Sequence, residues 1–285
     1  MFPIVPYYRI LSLANSGGMA NVYRALDLRS SKIVAIKHPF PQCLANPNII
    51  NHFRERVNYY LYLNHPNIVK LVDFVAYKND YFIVMEYIDG ISLNDYIEKI
   101  AAPLTPSNCF NIIMNVLSAM DYMHSKEILH LDIKPGNIML TRNNTIKMID
   151  LGISSKICDV QHVESRSGSP LYMSPEQITK NPLGRYTDIY AIGIVLYCML
   201  TKRHPFQGKN NDEIFYNILN KPIPNVCRLN PSVNADIQRI LEKATAKHPQ
   251  DRYQNCSEFA MDFRNAIKNR QSNIPNHINQ NSITI

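Results

Sequence analysis

The sequence predicts an α+β fold: a small antiparallel sheet with one long helix, followed by a larger, mainly helical part. Three observations predict it. Up to residue 88, short runs rich in Tyr, Ile and Val alternate with turn residues, which is the pattern of strands. From Asp89 onward, apolar residues recur at three- and four-residue spacing, which is the pattern of helices packed on one side. Finally, Ile189–Leu200 is apolar throughout, yet its 12 residues are too few to cross a bilayer, so it reads as a buried helix.

Taken in order, Tyr8–Leu13, Ala20–Asp27 and Ile33–Lys37 are predicted as consecutive strands of the sheet. After Pro47, the residues Phe53, Val57, Tyr60, Leu61 and Leu63 follow a helical period that ends at His65-Pro66. Ile68–Phe74 and Tyr81–Glu86 are two more strands. Leu93–Ile100 is a short helix with Ser92 as its N-cap. Cys109–His124 carries Ile112, Ile113, Val116, Leu117, Met120 and Met123 along one stripe, and Ser107 is the expected cap. Helices are also expected over Ser174–Thr179, Asp188–Thr201, Asp212–Leu219, Ala235–Ala246 and Cys256–Asn269. Residues 271–285, rich in Asn, Gln and Ser, read as a flexible tail. The organisation expected is a sheet-rich part at 8–88 and a helix-rich part at 89–268, with a cleft between them. No internal repeat is visible.

The totals narrow the classes of function. The chain has 285 residues, 46% hydrophobic and 19% charged, ample for a real core. Its net charge of +7 comes from scattered Lys and Arg, with no basic run and no interleaved aromatics, so nucleic acid is not the expected partner. A mildly basic surface suits phosphate-bearing ligands instead. The six Cys, at 43, 109, 158, 198, 227 and 256, form no C-x-x-C pair. That argues against a zinc site or a disulfide framework and fits a reducing compartment. The start M-F-P-I-V-P lacks the features of a secretory signal, so a cytoplasmic protein without a membrane segment is expected.

Chemistry concentrates in a few short motifs. His130 to Asn137 read H-L-D-I-K-P-G-N, and 13 positions after Asn137 comes Asp150-Leu151-Gly152. This stretch supplies a proton acceptor, a phosphate-neutralising Lys and two hard oxygen ligands. Singly, such Asp and Asn residues more often cap turns; their combination and spacing point to chemistry. Val34-Ala35-Ile36-Lys37 ends the third strand, and Val84-Met85-Glu86-Tyr87 ends the fifth. Ser167-Gly168-Ser169-Pro170-Leu171-Tyr172-Met173-Ser174-Pro175-Glu176 precedes a helix, and Asp251-Arg252-Tyr253 lies far downstream.

Together these motifs resemble the protein kinase family, in its bacterial Hanks-type serine/threonine branch, from about Tyr8 to Ala266. The resemblance implies a bilobal fold and transfer of the ATP γ-phosphoryl group to Ser or Thr of a protein substrate. It implies Asp132 as catalytic base and Lys134 as the charge-neutralising partner; a Lys there is the serine/threonine rather than the tyrosine pattern. Asn137 and Asp150 would hold Mg²⁺, or Mn²⁺ in its place. Lys37 would contact the α- and β-phosphates, with Gly17, Gly18 and Val22 in the phosphate loop. Ala35 and Met85 would border the adenine, Met85 being equally acceptable as core filler, and backbone groups of Glu86 and Ile88 would bond its edge. Glu176 would pair with Arg252, and the buried Asp188 would support the catalytic loop. Pairing of two copies through the upper lobe, as in relatives, stays open.

Four positions depart from the family pattern. The phosphate loop reads Asn15-Ser16-Gly17-Gly18-Met19-Ala20, so only the middle Gly of G-x-G-x-x-G is kept. The Glu expected to pair with Lys37, eight residues before Asn64, is Arg56; either Glu55 replaces it by a one-residue shift or Lys37 is held otherwise, for example by Asp150. Leu131 stands where the family has the Arg of H-R-D, so activity is expected not to need a phosphate on the activation segment, although Ser165 and Ser167 are candidate modification sites and Ser169 a structural one. Leu151 replaces the Phe of D-F-G. These departures keep a rival reading open, a pseudokinase that binds nucleotide or a partner without transfer. Small-molecule phosphotransferases of related fold are a third class.

Overall fold

The computed structural model describes residues 2–44, 57, 60–143, 145–150 and 170–272. The chain divides into two compact units, one of residues 1–89 with 149–168, the other of 90–148 with 169–285.

The first unit is built on five antiparallel strands: β1 (Tyr8–Ser16), β2 (Ala20–Asp27), β3 (Ile33–Pro39), β4 (Leu71–Tyr77) and β5 (Asp80–Glu86), in the order β1-β2-β3-β5-β4. Side chains alternate across a strand, so each face of this sheet collects every second residue. One face carries Tyr8, Ala25, Val34, Ile36, Phe82 and Val84, which with Val5 form a closed apolar cluster. The opposite face therefore belongs to Val22, Ala35, Lys37, Ile83 and Met85, placed side by side by the pairings Val22↔Lys37, Ala35↔Met85 and Lys37↔Ile83. β1 runs three residues beyond the sequence expectation because Ser16 pairs with Asn21 and bonds its side chain at 2.8 Å. β4 starts three residues later than expected, since the Ile68 N–H closes a turn onto the His65 carbonyl after Pro66. Of the helix predicted after Pro47, Val57 and Tyr60 are helical and buried; Leu61 and Leu63 fall in the turn that ends it, closed by the Leu63 N–H on the Tyr60 carbonyl, with Leu63 buried, and Phe53 lies outside the described residues.

In the second unit, α1 (Leu93–Lys99) starts at Ser92, whose hydroxyl accepts the Asp95 N–H as predicted. α2 (Pro106–Ser125) is capped by Thr105 rather than Ser107. Pro106 explains the correction, because proline suits the first helical position, where its missing N–H is not needed. α3 (Pro175–Thr179) opens with a capping box between Ser174 and Gln177. α4 (Arg185–Thr201) begins three residues before the expected start and buries every residue from Thr187 to Thr201. α5 (Asn211–Asn220), α6 (Ala235–Ala244) and α7 (Cys256–Ser272) complete the helices described. α2 packs on α4 and α7, and α6 packs on both α4 and α7.

A second sheet, β6 (Gly90–Ser92), β7 (Ile138–Thr141) and β8 (Ile146–Met148), stands where the sequence reading expected mainly helix. Gly90 is required there: a Cβ would meet the Leu140 carbonyl oxygen at 2.0 Å. This sheet carries the loop that precedes β7 and contains Asp132.

Candidate active site

On the first unit, Lys37 is buried to 6% exposure in β3, and its Nζ lies 2.5 Å from Asp150 Oδ1. The expected contact of Lys37 with Asp150 is thus present; Glu55 and Arg56 lie outside the described residues. Asp150 has φ 57°, the left-handed region that Asp tolerates better than most residues. Val22, Ala35 and Met85 share the sheet face of Lys37, as the strand register requires. The Glu86 N–H is taken by the Lys70 carbonyl at 2.9 Å, while the Glu86 carboxylate accepts the Lys70 N–H. Ile88 is half-buried in the segment after β5. Gly17 sits at the tip of the β1–β2 hairpin, where an added Cβ would meet only the Ala20 carbonyl oxygen at 3.8 Å, and Gly18 follows it.

On the second unit, three predicted residues converge within one loop. Lys134 Nζ lies 2.8 Å from Asp132 Oδ2 and 3.1 Å from Oδ1. Asn137 Nδ2 donates to the Asp132 carbonyl at 2.8 Å and to Asp132 Oδ2 at 2.9 Å. With both donors of the amide so engaged, the orientation of Asn137 is set and its oxygen is presented as a hard ligand. Asp132 Oδ1 is the less engaged carboxylate oxygen.

The loop is held from below. Asp188, at the start of α4, accepts the N–H groups of His130 at 2.9 Å and Leu131 at 2.8 Å, and the His124 ring at 2.8 Å. The other ring nitrogen of His124, Nδ1, lies 3.7 Å from Cys256 Sγ. Burial, then the charges of Asp188 and Asp121, push the Cys256 thiol well above its usual range, so it is a structural thiol and not a nucleophile. Leu131 adopts φ 63°, a left-handed conformation that costs a non-glycine residue about 1–2 kcal/mol.

Glu176 and Arg252 form a sealed two-pronged pair, Nη1–Oε1 at 2.8 Å and Nη2–Oε2 at 2.9 Å. Thr187 Oγ1 donates to Glu176 Oε1 at 2.8 Å, and Arg252 also donates to the carbonyls of Ala246, Tyr186 and Lys247. Burial alone would raise the Glu176 carboxyl, but the hydrogen bonds and charge of Arg252 hold it below the usual range.

A model of the protein kinase domain matches residues 8–264. The chain belongs to the protein kinase domain family. It is 38% identical over 262 residues to the serine/threonine-protein kinase PrkC of Bacillus subtilis (strain 168), covering 91% of this chain and 40% of that protein. It is 33% identical over 265 residues to PknB of Mycobacterium tuberculosis (strain ATCC 25618 / H37Rv), covering 90% and 42%. The chain thus spans about two fifths of the length of these curated relatives. The crystal structure of the Mycobacterium tuberculosis PknI kinase domain superposes with a TM-score of 0.77 at 23% identity, over 93% of this chain and 98% of that one, which shows the fold. The bilobal kinase fold is therefore that of this chain, with an antiparallel sheet in one part and helices in the other.

Within this kinase domain, Leu151, Ser165, Ser167 and Ser169 lie outside the described residues. Sequence reasoning missed Gln177, whose Nε2 donates to the Leu131 carbonyl at 3.1 Å. It also missed His124, which read only as the end of a helix. The S-x-x-Q spacing of Ser174 and Gln177 was a visible capping signal; nothing in it announced a bond to a loop 46 residues away.

Proposed function

We propose that this kinase domain is an active serine/threonine protein kinase that transfers the γ-phosphoryl group of ATP to a protein hydroxyl. The observation that carries the reading is the convergence of Lys134 and Asn137 on Asp132, both within 2.9 Å of Oδ2. In the reaction, the bond from the γ-phosphorus to its bridging oxygen breaks, a bond to the substrate oxygen forms, and the hydroxyl proton passes to Asp132, most directly at Oδ1. Lys134 neutralises charge on the group in transit. Lys37 holds the α- and β-phosphates, with Gly17, Gly18 and Val22 along the phosphates and Ala35, Met85, Glu86 and Ile88 around the adenine. Asp150 and Asn137 carry the hard oxygens suited to Mg²⁺, or to Mn²⁺. When bound with the nucleotide, the cation neutralises phosphate charge.

Leu131 offers no charge to a phosphate, so transfer does not depend on a phosphorylated activation segment, and phosphatase treatment leaves the rate unchanged. Among the described residues no helix is long and apolar enough to cross a membrane. The rival reading, a pseudokinase that acts by binding, rests on Arg56 in place of the Glu expected to pair with Lys37, on the phosphate loop thinned by Asn15 and Ala20, and on Leu131. One assay separates them: labelled ATP, magnesium and a generic basic protein with the wild-type chain and Asp132→Asn. Transfer by the wild type falls by about 10²–10⁴-fold in the variant, with ATP binding retained. No label from the wild type, or equal label from both, removes the kinase reading.

A further inference from the structure

We propose that Gln177 is a positioning residue for this reaction: its amide pins the carbonyl of Leu131 and thereby fixes the backbone from which Asp132 projects. The inference rests on the kinase reading above and adds to it a device that stands in for the missing Arg of H-R-D.

Leu131 occupies a conformation disfavoured for any side chain with a Cβ, and such backbone persists only where its surroundings hold it on more than one side. Both sides are held here. The Leu131 N–H is bound by Asp188 Oδ1 at 2.8 Å, and the Leu131 carbonyl by Gln177 Nε2 at 3.1 Å. A peptide group is planar, so the Leu131 carbonyl and the Asp132 N–H are two ends of one rigid unit. The other end is also tied, since the Asp132 N–H donates to His130 Nδ1 at 3.3 Å. The plane immediately before the base is thus clamped at both edges, and Gln177 is the clamp that comes from outside the loop.

The amide of Gln177 cannot turn over without loss. Its Oε1 accepts the Ser174 N–H at 2.9 Å, and the Ser174 hydroxyl accepts the Gln177 N–H at 3.4 Å. The capping box that starts α3 therefore aims Nε2 at the loop. One side chain closes a helix and holds the catalytic loop. A clamp made of side-chain and backbone groups is permanent, whereas an Arg–phosphate clasp comes and goes with modification.

The experiment uses the full chain with two variants. Gln177→Glu keeps the acceptor for Ser174 and loses only the donor to Leu131; Gln177→Met loses both. We expect kcat to fall by about fivefold to tenfold in each, the factor that one ordinary hydrogen bond corresponds to, with KM for ATP unchanged. Hydrogen–deuterium exchange of the peptide covering 129–134 should quicken in both. Slow transfer by Gln177→Met with a wild-type rate for Gln177→Glu assigns the effect to the helix cap and overturns the proposal. So does a kcat within about twofold of wild type in both. The exchange measurement needs no catalysis, so it separates the two readings: a wild type without transfer removes the kinase reading, while unaltered exchange in both variants removes the clamp.

Discussion

Two acid–base pairs in the second unit make an instructive contrast. Glu176 and Arg252 are 2% and 0% exposed, whereas Asp132 and Lys134 are 27% and 24% exposed. The sealed pair spends every polar atom on protein partners: Thr187 and three backbone carbonyls complete its bonds, and Tyr190 lies under the guanidinium at 4.9 Å. Desolvating two charges is costly, and only such saturation makes the arrangement stable. The open pair leaves Asp132 Oδ1 underused, which is what a group that must meet a substrate requires. Enclosure marks the pair that holds the helices together; incomplete engagement fits the catalytic role proposed for Asp132 and Lys134.

The contrast is sharpened first by Lys134→Met, which should reduce kcat by about 10²–10³-fold. The same change should shift Tm little, since a part-exposed ion pair contributes roughly 0–1 kcal/mol; a large drop in Tm would make the open pair structural. Arg252→Met should do the reverse. Leaving Glu176 buried and unpaired costs about 3–5 kcal/mol, or roughly 6–20 °C in Tm for a unit of this size, read by calorimetry. Adding Glu176→Gln should restore part of the loss.

Acidification provides a third, smaller effect. Burial pushes His204 down to about 4, so between its unfolded value of 6.5 and that value the unfolded chain takes up the proton first. Stability should therefore fall as pH drops from 6.5 toward 4. Glu176 adds to the loss below about 4.5, where its unfolded carboxyl protonates before the folded one. In His204→Gln the first decline should vanish and the second remain, as followed by Tm against pH. The smallest effect is expected for Arg239→Ala, which removes an exposed contact with Asp236 within α6; stability should change by no more than about 0.5 kcal/mol, as urea titration would show.

The sequence made the two-part architecture legible because both periodicities extend over many residues. The cluster of Asp132, Lys134 and Asn137 was legible because six residues of one loop leave little freedom. The pairing of Glu176 with Arg252 and the burial of Asp188 followed from the family resemblance, and their side chains meet their expected partners. What escaped was either too short or too distant to leave a pattern. β6, β7 and β8 run three or four residues each, below the length at which alternation can be recognised. The cap of α2 was misplaced because Ser107 and Thr105 are chemically alike, and only Pro106 distinguishes them. The contact of Lys37 with Asp150, 113 positions away, left no local pattern and was expected only as one of two alternatives.

The enclosed stretch of α4 has a bearing on synthesis. A rod with no wet side, fifteen residues long, leaves the ribosome before the α6 segment that will cover it has been made. Until Ala235–Ala244 emerges, the face of that rod turned away from α2 is greasy and unshielded. A chain cut short before residue 235 should therefore precipitate rather than yield a smaller working piece.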